Sequence, residues 1–235
     1  MSIEVRRAGS RFTTTAPGRV TRHSFSFGAH YDPSNTSFGS LVCHNDDLVQ
    51  PGSGYDDHPH RDLEIVTWVL SGELSHRDDA GRSGVVTPGR IQVMSAGSGV
   101  VHAEVVEPGA GPTRFVQTWV LPDEPGGAPS YDSATVTPGD AWLPVASGGR
   151  ADAATAIGTR AATLWVADLA AGQSVELPEA PQVHLFVATG SAAFSAGGDE
   201  AIDLGTADAV RLTGEGGDLS AVQPAQVMAW TFARA

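Results

Sequence analysis

Short apolar or alternating segments, closed by glycine, proline or Asn-Asp turns, fill most of the chain, whereas helical periodicity is nearly absent. This spacing is typical of an all-β sandwich or barrel. The clearest predicted strands of the first half are 40–44, 63–70, 84–87, 91–95 and 114–121. Five prolines and glycines within residues 122–129 then interrupt the pattern, which indicates a linker or a domain boundary.

A second set of predicted strands follows this interruption. Its members are 161–169, 182–189, 192–195, 209–212 and 227–232. Residues 183–192 repeat the pattern of residues 65–74, with Gly190 in the place of Gly72. We therefore expect two successive β-barrels: an N-terminal barrel over residues 1–121, a linker and the start of the second barrel over 122–150, and a C-terminal barrel over 151–235.

The charge, the cysteine count and the distribution of apolar residues argue against several classes of protein. The net charge is −13 over 235 residues and all 14 basic residues are arginine, so direct contact with nucleic acid is disfavoured. Cys43 is the only cysteine, which excludes an intrachain disulfide and a thiolate metal cluster. The sequence contains neither an apolar run of membrane-spanning length nor a secretory h-region, so we expect a cytoplasmic protein without a membrane partner.

Two short motifs offer side chains that bind metals, His58-x-His60 and His102-x-Glu104. Residues i and i+2 of a strand point to the same face, so two facing strands of one barrel would aim three imidazoles and a carboxylate at one spot. Donors without sulfur suit Fe(II), Mn(II), Ni(II), Cu(II) or Zn(II). Four protein donors on an octahedral ion leave room for substrate and dioxygen, which favours oxygenation over a structural role.

Several ordered sequence blocks resemble the pirin family of the cupin superfamily. They are RHSFSFG (22–28), YDP (31–33), NDD (45–47), HPHRDLE (58–64), HRD (76–78), MSAG (94–97) and HAE (102–104). The resemblance is close over residues 20–131, becomes diffuse beyond, and is greatest to the short bacterial members named as quercetin 2,3-dioxygenases. It implies an all-β bicupin fold, with two jelly-roll-like barrels in one chain and a metal site made by His58, His60, His102 and Glu104.

The resemblance also implies a function: a non-haem dioxygenase that cleaves flavonols of the quercetin type and releases carbon monoxide. Fe(II) is the leading candidate for the one divalent metal, with Mn, Ni, Cu and Zn as alternatives. Glu104 is the candidate catalytic base for the flavonol 3-hydroxyl, because a carboxylate beside the metal is within reach of that proton. The alternative function is a metal-binding regulator that modulates a partner enzyme or transcription factor without turnover. Other cupin chemistry on an unknown small molecule is a third possibility.

Further residues receive supporting roles in this interpretation. Glu64 stands where many cupins place a carboxylate ligand, and we expect it to support the strand or the ligands instead. The remaining histidines are expected to be structural or at the surface, with His23 and His30 as candidates for the pocket rim. Residues that wall an aromatic pocket, or pack in the core, are Trp68, Met94, Phe115, Gln117 and Trp119.

The second barrel is expected to lack a metal. Aligning Gly190 with Gly72 places Glu176 and Pro178 at the positions of the first histidine pair. The same register places Ser220 and Val222 opposite the second pair. His184 is the only histidine after His102, so no small gap restores a ligand set.

Overall fold

The computed structural model describes residues 2–197 and 200–233 of the chain. Antiparallel β-strands dominate these residues, joined by tight turns, and a short 3-10 helix spans Ala8–Ser10. The prediction of an all-β fold is confirmed. No described helix has the length and apolar character that crossing a membrane would require.

The chain divides into two compact units that interleave along the sequence. Residues 12–136 and 154–159 form what we call the N-terminal unit, and residues 1–11, 137–153 and 160–235 form the C-terminal unit. The sequence predicts instead a contiguous division at residues 121 and 150. Three segments account for the difference. Ser2–Arg6 pairs with Ala209–Thr213 of the C-terminal unit, Ser130–Thr135 pairs with Arg90–Ser95 of the N-terminal unit, and residues 154–159 group with the N-terminal unit.

Strands are numbered along the whole chain. The N-terminal unit contains β2 (Phe12–Ala16), β3 (Arg19–His23), β4 (Leu41–Val49), β5 (Gly54–His60), β6 (Glu64–Ser71), β7 (Leu74–Asp78), β8 (Ser83–Val86), β9 (Arg90–Ser95), β10 (Val100–Val105), β11 (Thr113–Val120), β12 (Ser130–Thr135) and β14 (Thr155–Ala156). The C-terminal unit contains β1 (Ser2–Arg6), β13 (Leu143–Ser147), β15 (Ala162–Leu169), β16 (Ser174–Glu176), β17 (Gln182–Ser195), β18 (Ile202–Gly205), β19 (Ala209–Thr213) and β20 (Asp218–Phe232).

Two sheets build the N-terminal unit. Seven strands follow the order β12-β9-β6-β11-β4-β3-β2, and four follow the order β5-β10-β7-β8. The stretch Ile65–Val69 of β6 lies mid-sheet and is buried throughout, which explains why it reads as an almost continuous hydrophobic run, interrupted only by Thr67, rather than an alternating one. The four-stranded sheet contains both histidine motifs, on β5 and β10.

The C-terminal unit has the strand order β1-β19-β17-β20-β15-β13, with β16 on β20 and β18 on β17. A cluster of buried apolar side chains, which includes Leu185, Phe194, Val210 and Val227, forms its hydrophobic core. The segments 182–189 and 192–195 are one continuous strand, because shifts of register around Gly190 let β17 bend without ending.

Gly72 and Gly190 occupy equivalent conformations in the two units. Both have φ near +78°, where a side chain is strained. A Cβ at Gly72 would contact the Thr113 hydroxyl and lie 2.8 Å from the Pro112 carbonyl oxygen, and one at Gly190 would collide with the Pro224 carbonyl oxygen. The repeat seen in the sequence therefore corresponds to a close backbone approach that only glycine allows.

Candidate metal centre

The central strand of the four-stranded sheet, β10, organises the site. It pairs with β5 on one side, where His102 lies directly opposite His58. On the other side it pairs with β7, where Glu104 lies directly opposite His76. Between His102 and Glu104 the register with β5 shifts by one residue, because β5 has a bulge between Tyr55 and His58. Strand pairing thus gathers residues far apart in sequence on one face of one sheet.

Three of the four predicted ligands converge. One donor nitrogen each of His58, His60 and His102 lies within 4.8 Å of the others. A second group, with donor atoms also within 4.8 Å, consists of His76, His102 and Glu104. The two groups share His102, so the structure places three predicted histidines together and the predicted carboxylate in the adjoining group, with His76 beside it.

The histidine nitrogens have the chemistry that a metal cation needs. His58 Nδ1 donates to the carbonyl oxygen of Asp56 at 2.7 Å, which leaves the lone pair on Nε2. The Nε2 atoms of His60 and His102 are buried without a hydrogen-bond partner. Burial, reinforced by neighbouring histidines, lowers the pKa of His60 to about 3 and that of His102 to about 3. Neutral imidazoles with buried, unpaired acceptors fit a divalent cation, which would satisfy them.

Glu104 is held by three donors. They are Gln117 Nε2 at 2.6 Å on Oε2, and Gln92 Nε2 at 3.3 Å and Thr67 Oγ1 at 3.4 Å on Oε1. The orientation of Gln117 is fixed by Trp119, whose indole N–H can only donate and bonds Gln117 Oε1 at 3.2 Å. Gln117 must then present its amide N–H to Glu104. The carboxylate is thus oriented as an acceptor, with Oε2 tightly bound and Oε1 held by longer contacts.

His76 belongs to the second donor group, whereas we expected a structural or surface histidine at this position. Its Nδ1 lies 3.5 Å from His102 Nδ1, and its ring stacks on Tyr131 at 4.9 Å. Burial lowers its pKa, against the pull of Glu104 and Asp78. The alternation of residues along β7 could have placed His76 inside the barrel, since Leu74, His76 and Asp78 are buried on the same face of this strand.

Glu64 and the C-terminal unit stand apart from the donor groups. Glu64 is buried and accepts a hydrogen bond from Ser95 at 2.5 Å, so it lies outside both groups. In the described residues, both donor groups lie in the N-terminal unit. Glu176 is exposed, and Ser220 bonds Ser174 at 2.7 Å. A metal-free C-terminal barrel stays a prediction.

Aromatic rings border the cluster on one side. Trp119 packs edge-on against His60 with ring centres 4.8 Å apart, Phe27 lies 5.2 Å from Trp119, and His23 stacks on Phe27 at 4.8 Å. His30 joins this row beside His23 at 5.6 Å. Gln117 and Trp119 therefore lie at the site. The other predicted wall residues are fully buried and pack in the core: Trp68, Met94 and Phe115.

An antiparallel barrel whose strands gather histidines and a glutamate around a potential metal position defines a cupin-type protein. The bacterial pirin YhhW from Escherichia coli, in complex with nickel(II), matches with a TM-score of 0.89 and 26% identity, covering 100% of both chains. This confirms the bicupin fold expected from the sequence.

The chain belongs to the pirin family. The family profile, described as Pirin, matches residues 5–120. A Mycobacterium tuberculosis protein named "Putative quercetin 2,3-dioxygenase" is 46% identical over 237 residues, covering 97% of this chain and 94% of its own. A "Quercetin 2,3-dioxygenase" of Escherichia coli is 37% identical over 130 residues, which covers 55% of this chain and 56% of its own.

Proposed function

We propose that this protein is a metal-dependent dioxygenase that cleaves flavonols of the quercetin type. Its metal ligands are His58, His60, His102 and Glu104. The observation that carries the proposal is the convergence of three histidine nitrogens within 4.8 Å, with the Glu104 carboxylate beside His102. The quercetin 2,3-dioxygenase names of the relatives support the substrate class, and the nickel(II) complex of YhhW supports a divalent transition metal. Fe(II) remains our first choice, because open non-haem iron sites suit dioxygen.

A divalent ion held by these ligands would act as a Lewis acid on a chelating flavonol oxygen and offer adjacent positions to substrate and dioxygen. The protein supplies the remaining functions. The carbonyl of Asp56 fixes the His58 ring so that Nε2 faces the cluster. Gln117, held by Trp119, fixes the carboxylate of Glu104.

Glu104 is the proposed base for the flavonol 3-hydroxyl. Its Oε2 is engaged by Gln117 at 2.6 Å, whereas the contacts of Oε1 with Gln92 and Thr67 are 3.3 Å and 3.4 Å long. Oε1 is therefore the oxygen that can exchange a weak contact for the substrate proton. Deprotonation makes the flavonol electron-rich at the carbons that dioxygen attacks.

The aromatic row next to the cluster supports a flat aromatic substrate. Trp119 and Phe27 present ring faces and edges beside His60, and both are only partly buried. Offset or edge-to-face stacking of a flavonol ring on such a surface adds affinity and orients the substrate relative to the ligands.

The test measures metal and turnover on the same samples. Protein loaded anaerobically with Fe(II), Mn(II), Ni(II), Cu(II) or Zn(II) should hold one ion per chain, and quercetin absorbance should fall when air is admitted. His58→Ala and His102→Ala should lose both metal and turnover. Glu104→Gln should keep part of the metal and lose turnover. Glu176→Gln, at an exposed carboxylate of the C-terminal unit, serves as a matched control that keeps both.

A different result would change the function assigned. Stoichiometric metal without turnover, over a panel of flavonols and all five metals, would favour the regulatory alternative, in which the same ligands report a state to a partner protein. Full turnover by Glu104→Gln would remove the base assignment while leaving the enzyme.

A further inference from the structure

We infer that His76 is a positioning residue for the metal centre: it accepts a hydrogen bond from His102 Nδ1–H and so holds His102 Nε2 toward His58 and His60. The inference rests on the proposed metal site and adds a residue to it. His76 supplies no ligand atom in this assignment and acts only through His102.

The register of β7 and β10 brings the two rings together. His76 lies opposite Glu104, two pairs along from the His102 and Asp78 pair, and therefore on the same buried face. The two Nδ1 atoms are 3.5 Å apart, and the ring centres are 5.3 Å apart at an interplanar angle of 49°. Tyr131 stacks on the His76 ring at 4.9 Å and 26°. The His76 ring is therefore enclosed between His102 and a tyrosine, with little freedom to turn.

The chemistry of two imidazoles decides which nitrogen donates. A histidine that binds a metal through one nitrogen almost always donates its other N–H to a partner, which fixes the tautomer and the ring orientation. His58 does so to the Asp56 carbonyl oxygen. For His102 the group facing Nδ1 is the imidazole of His76. With His102 Nε2 as the ligand atom, its proton is on Nδ1, so His76 Nδ1 must be the acceptor.

The support for His102 is linked to the support for Glu104. The hydroxyl of Tyr131 donates to Gln92 Oε1 at 3.1 Å, and Gln92 Nε2 donates to Glu104 Oε1 at 3.3 Å. The tyrosine that stacks on His76 thus also orients the amide that holds the carboxylate. Tyr131 on β12 therefore supports two proposed ligands on β10. It supports His102 by stacking on His76, and it supports Glu104 through its hydrogen bond to Gln92.

The rival assignment is that His76 binds the metal directly. The donor atoms of His76, His102 and Glu104 also lie within 4.8 Å of one another, and His76 Nε2, like that of His60 and of His102, is buried without a hydrogen-bond partner. Three substitutions separate the roles. His76→Asn places an amide oxygen near the position of Nδ1 and can still accept from His102. His76→Gln places its oxygen near the position of Nε2, where His102 cannot use it. His76→Leu retains bulk without an acceptor.

The experiment compares Ni(II) affinity, by competition with a chromophoric chelator, and the number of nitrogen ligands, by X-ray absorption of the Ni(II)-loaded full-length protein. We expect His76→Leu and His76→Gln to bind Ni(II) about 10–100-fold more weakly than the parent. His76→Asn should recover most of the affinity. All four proteins should show the same number of nitrogen ligands, since His76 contributes none.

Three results would overturn the inference. Equal Ni(II) affinity in all variants would leave His76 a packing role only. One nitrogen ligand fewer in every variant would make His76 a ligand. Failure of the parent protein to bind Ni(II) or any other divalent metal would remove the proposed function as well, and is thereby distinguished from the other two. Should His76→Leu fail to fold, as judged by circular dichroism, the comparison of Asn with Gln decides: equal affinities would overturn the inference.

Discussion

A carboxyl group buried in the N-terminal unit gives the sharpest test of the electrostatics of this fold. Asp47 on β4 is only 1% exposed and accepts hydrogen bonds from Thr21 Oγ1 at 2.5 Å and Tyr55 OH at 2.6 Å. Burial raises the pKa of Asp47 from 3.8 to about 7, and repulsion by Asp46 and Glu104 adds to this, although the two hydrogen bonds oppose it. Asp47 is therefore protonated in the folded protein over a pH range where it is ionised in the unfolded chain.

The sign of the effect follows from the raised pKa. The folded state binds this proton more tightly, so the contribution to stability is fully present below pH 3.8 and is lost as the pH rises through about 7. A shift from 3.8 to about 7 corresponds to an upper bound of about 4 kcal/mol in the free energy of unfolding. Most of that loss falls between the two pKa values.

Asp47→Asn removes this titration and little else. The amide oxygen still accepts from Thr21 and Tyr55, and the amide NH₂ takes the place of the carboxylic O–H of the protonated form. We expect the variant to be the more stable already at pH 5, which lies above the unfolded-state pKa of 3.8, and its advantage to widen up to about pH 7. At pH 8 the variant should be the more stable, by up to a few kcal/mol, because it has no buried charge to carry.

Urea unfolding of the metal-free proteins at intervals from pH 5 to pH 8 measures the difference. The buried histidines, whose pKa values are lowered, add stability that is lost toward acid pH, but they are common to both proteins and cancel. Asp46→Asn is the matched control: Asp46 makes two 2.8 Å bonds to Arg114, so its loss should destabilise at pH 8. Parallel stability curves for the parent and Asp47→Asn, or a variant that is weaker at pH 8, would refute this account of Asp47.

Three further predictions test the fold and the site. Gly190→Ala should lower the melting temperature more than Gly172→Ala does, because both glycines have positive φ but only a Cβ at Gly190 meets a backbone carbonyl. Gly172→Ala, where the added Cβ meets open space, should lose about 2–4 °C. Equal losses in the two variants would contradict the packing argument. Trp119→Phe keeps an aromatic ring but removes the indole N–H that fixes the amide of Gln117. Steady-state kinetics should therefore show kcat on quercetin reduced about 5-fold with KM little changed. A raised KM with unchanged kcat would assign Trp119 to substrate binding only. Metal at 100 times its Kd should stabilise the parent by about 3 kcal/mol, and a chelator should remove this stabilisation in thermal scans. The chelator should leave the stability of His102→Ala unchanged. Equal shifts in the two proteins would place the metal elsewhere.

Local sequence patterns predicted nine of the twenty described strands and the ligand motifs, because alternation and turn residues act over a few neighbouring positions. The strands 63–70, 91–95 and 114–121 agree with β6, β9 and β11 to within one residue. The two-residue period of a strand was enough to predict that His58 and His60 share a face, and likewise His102 and Glu104. Resemblance to the pirin family supplied the bicupin fold.

Long-range pairing was beyond these patterns. Ser2–Arg6 pairs with Ala209–Thr213, some two hundred positions away, and nothing in a five-residue strand specifies such a partner. The same limit applies to Ser130–Thr135, which the sequence left in a linker although it extends the larger sheet of the N-terminal unit.

The sequence by itself determined the chemistry available to this protein: an all-β chain with His58, His60, His102 and Glu104 as donors, and no thiolate cluster. Only the tertiary structure decided how those donors are supported. The pairing of β7 with β10 places His76 against His102, and the sheet contacts of β9, β11 and β12 bring Gln92, Gln117 and Tyr131 around the carboxylate. The reason is physical: a ligand motif is local along one strand, whereas its support comes from neighbouring strands whose order is set by the packing of the whole barrel.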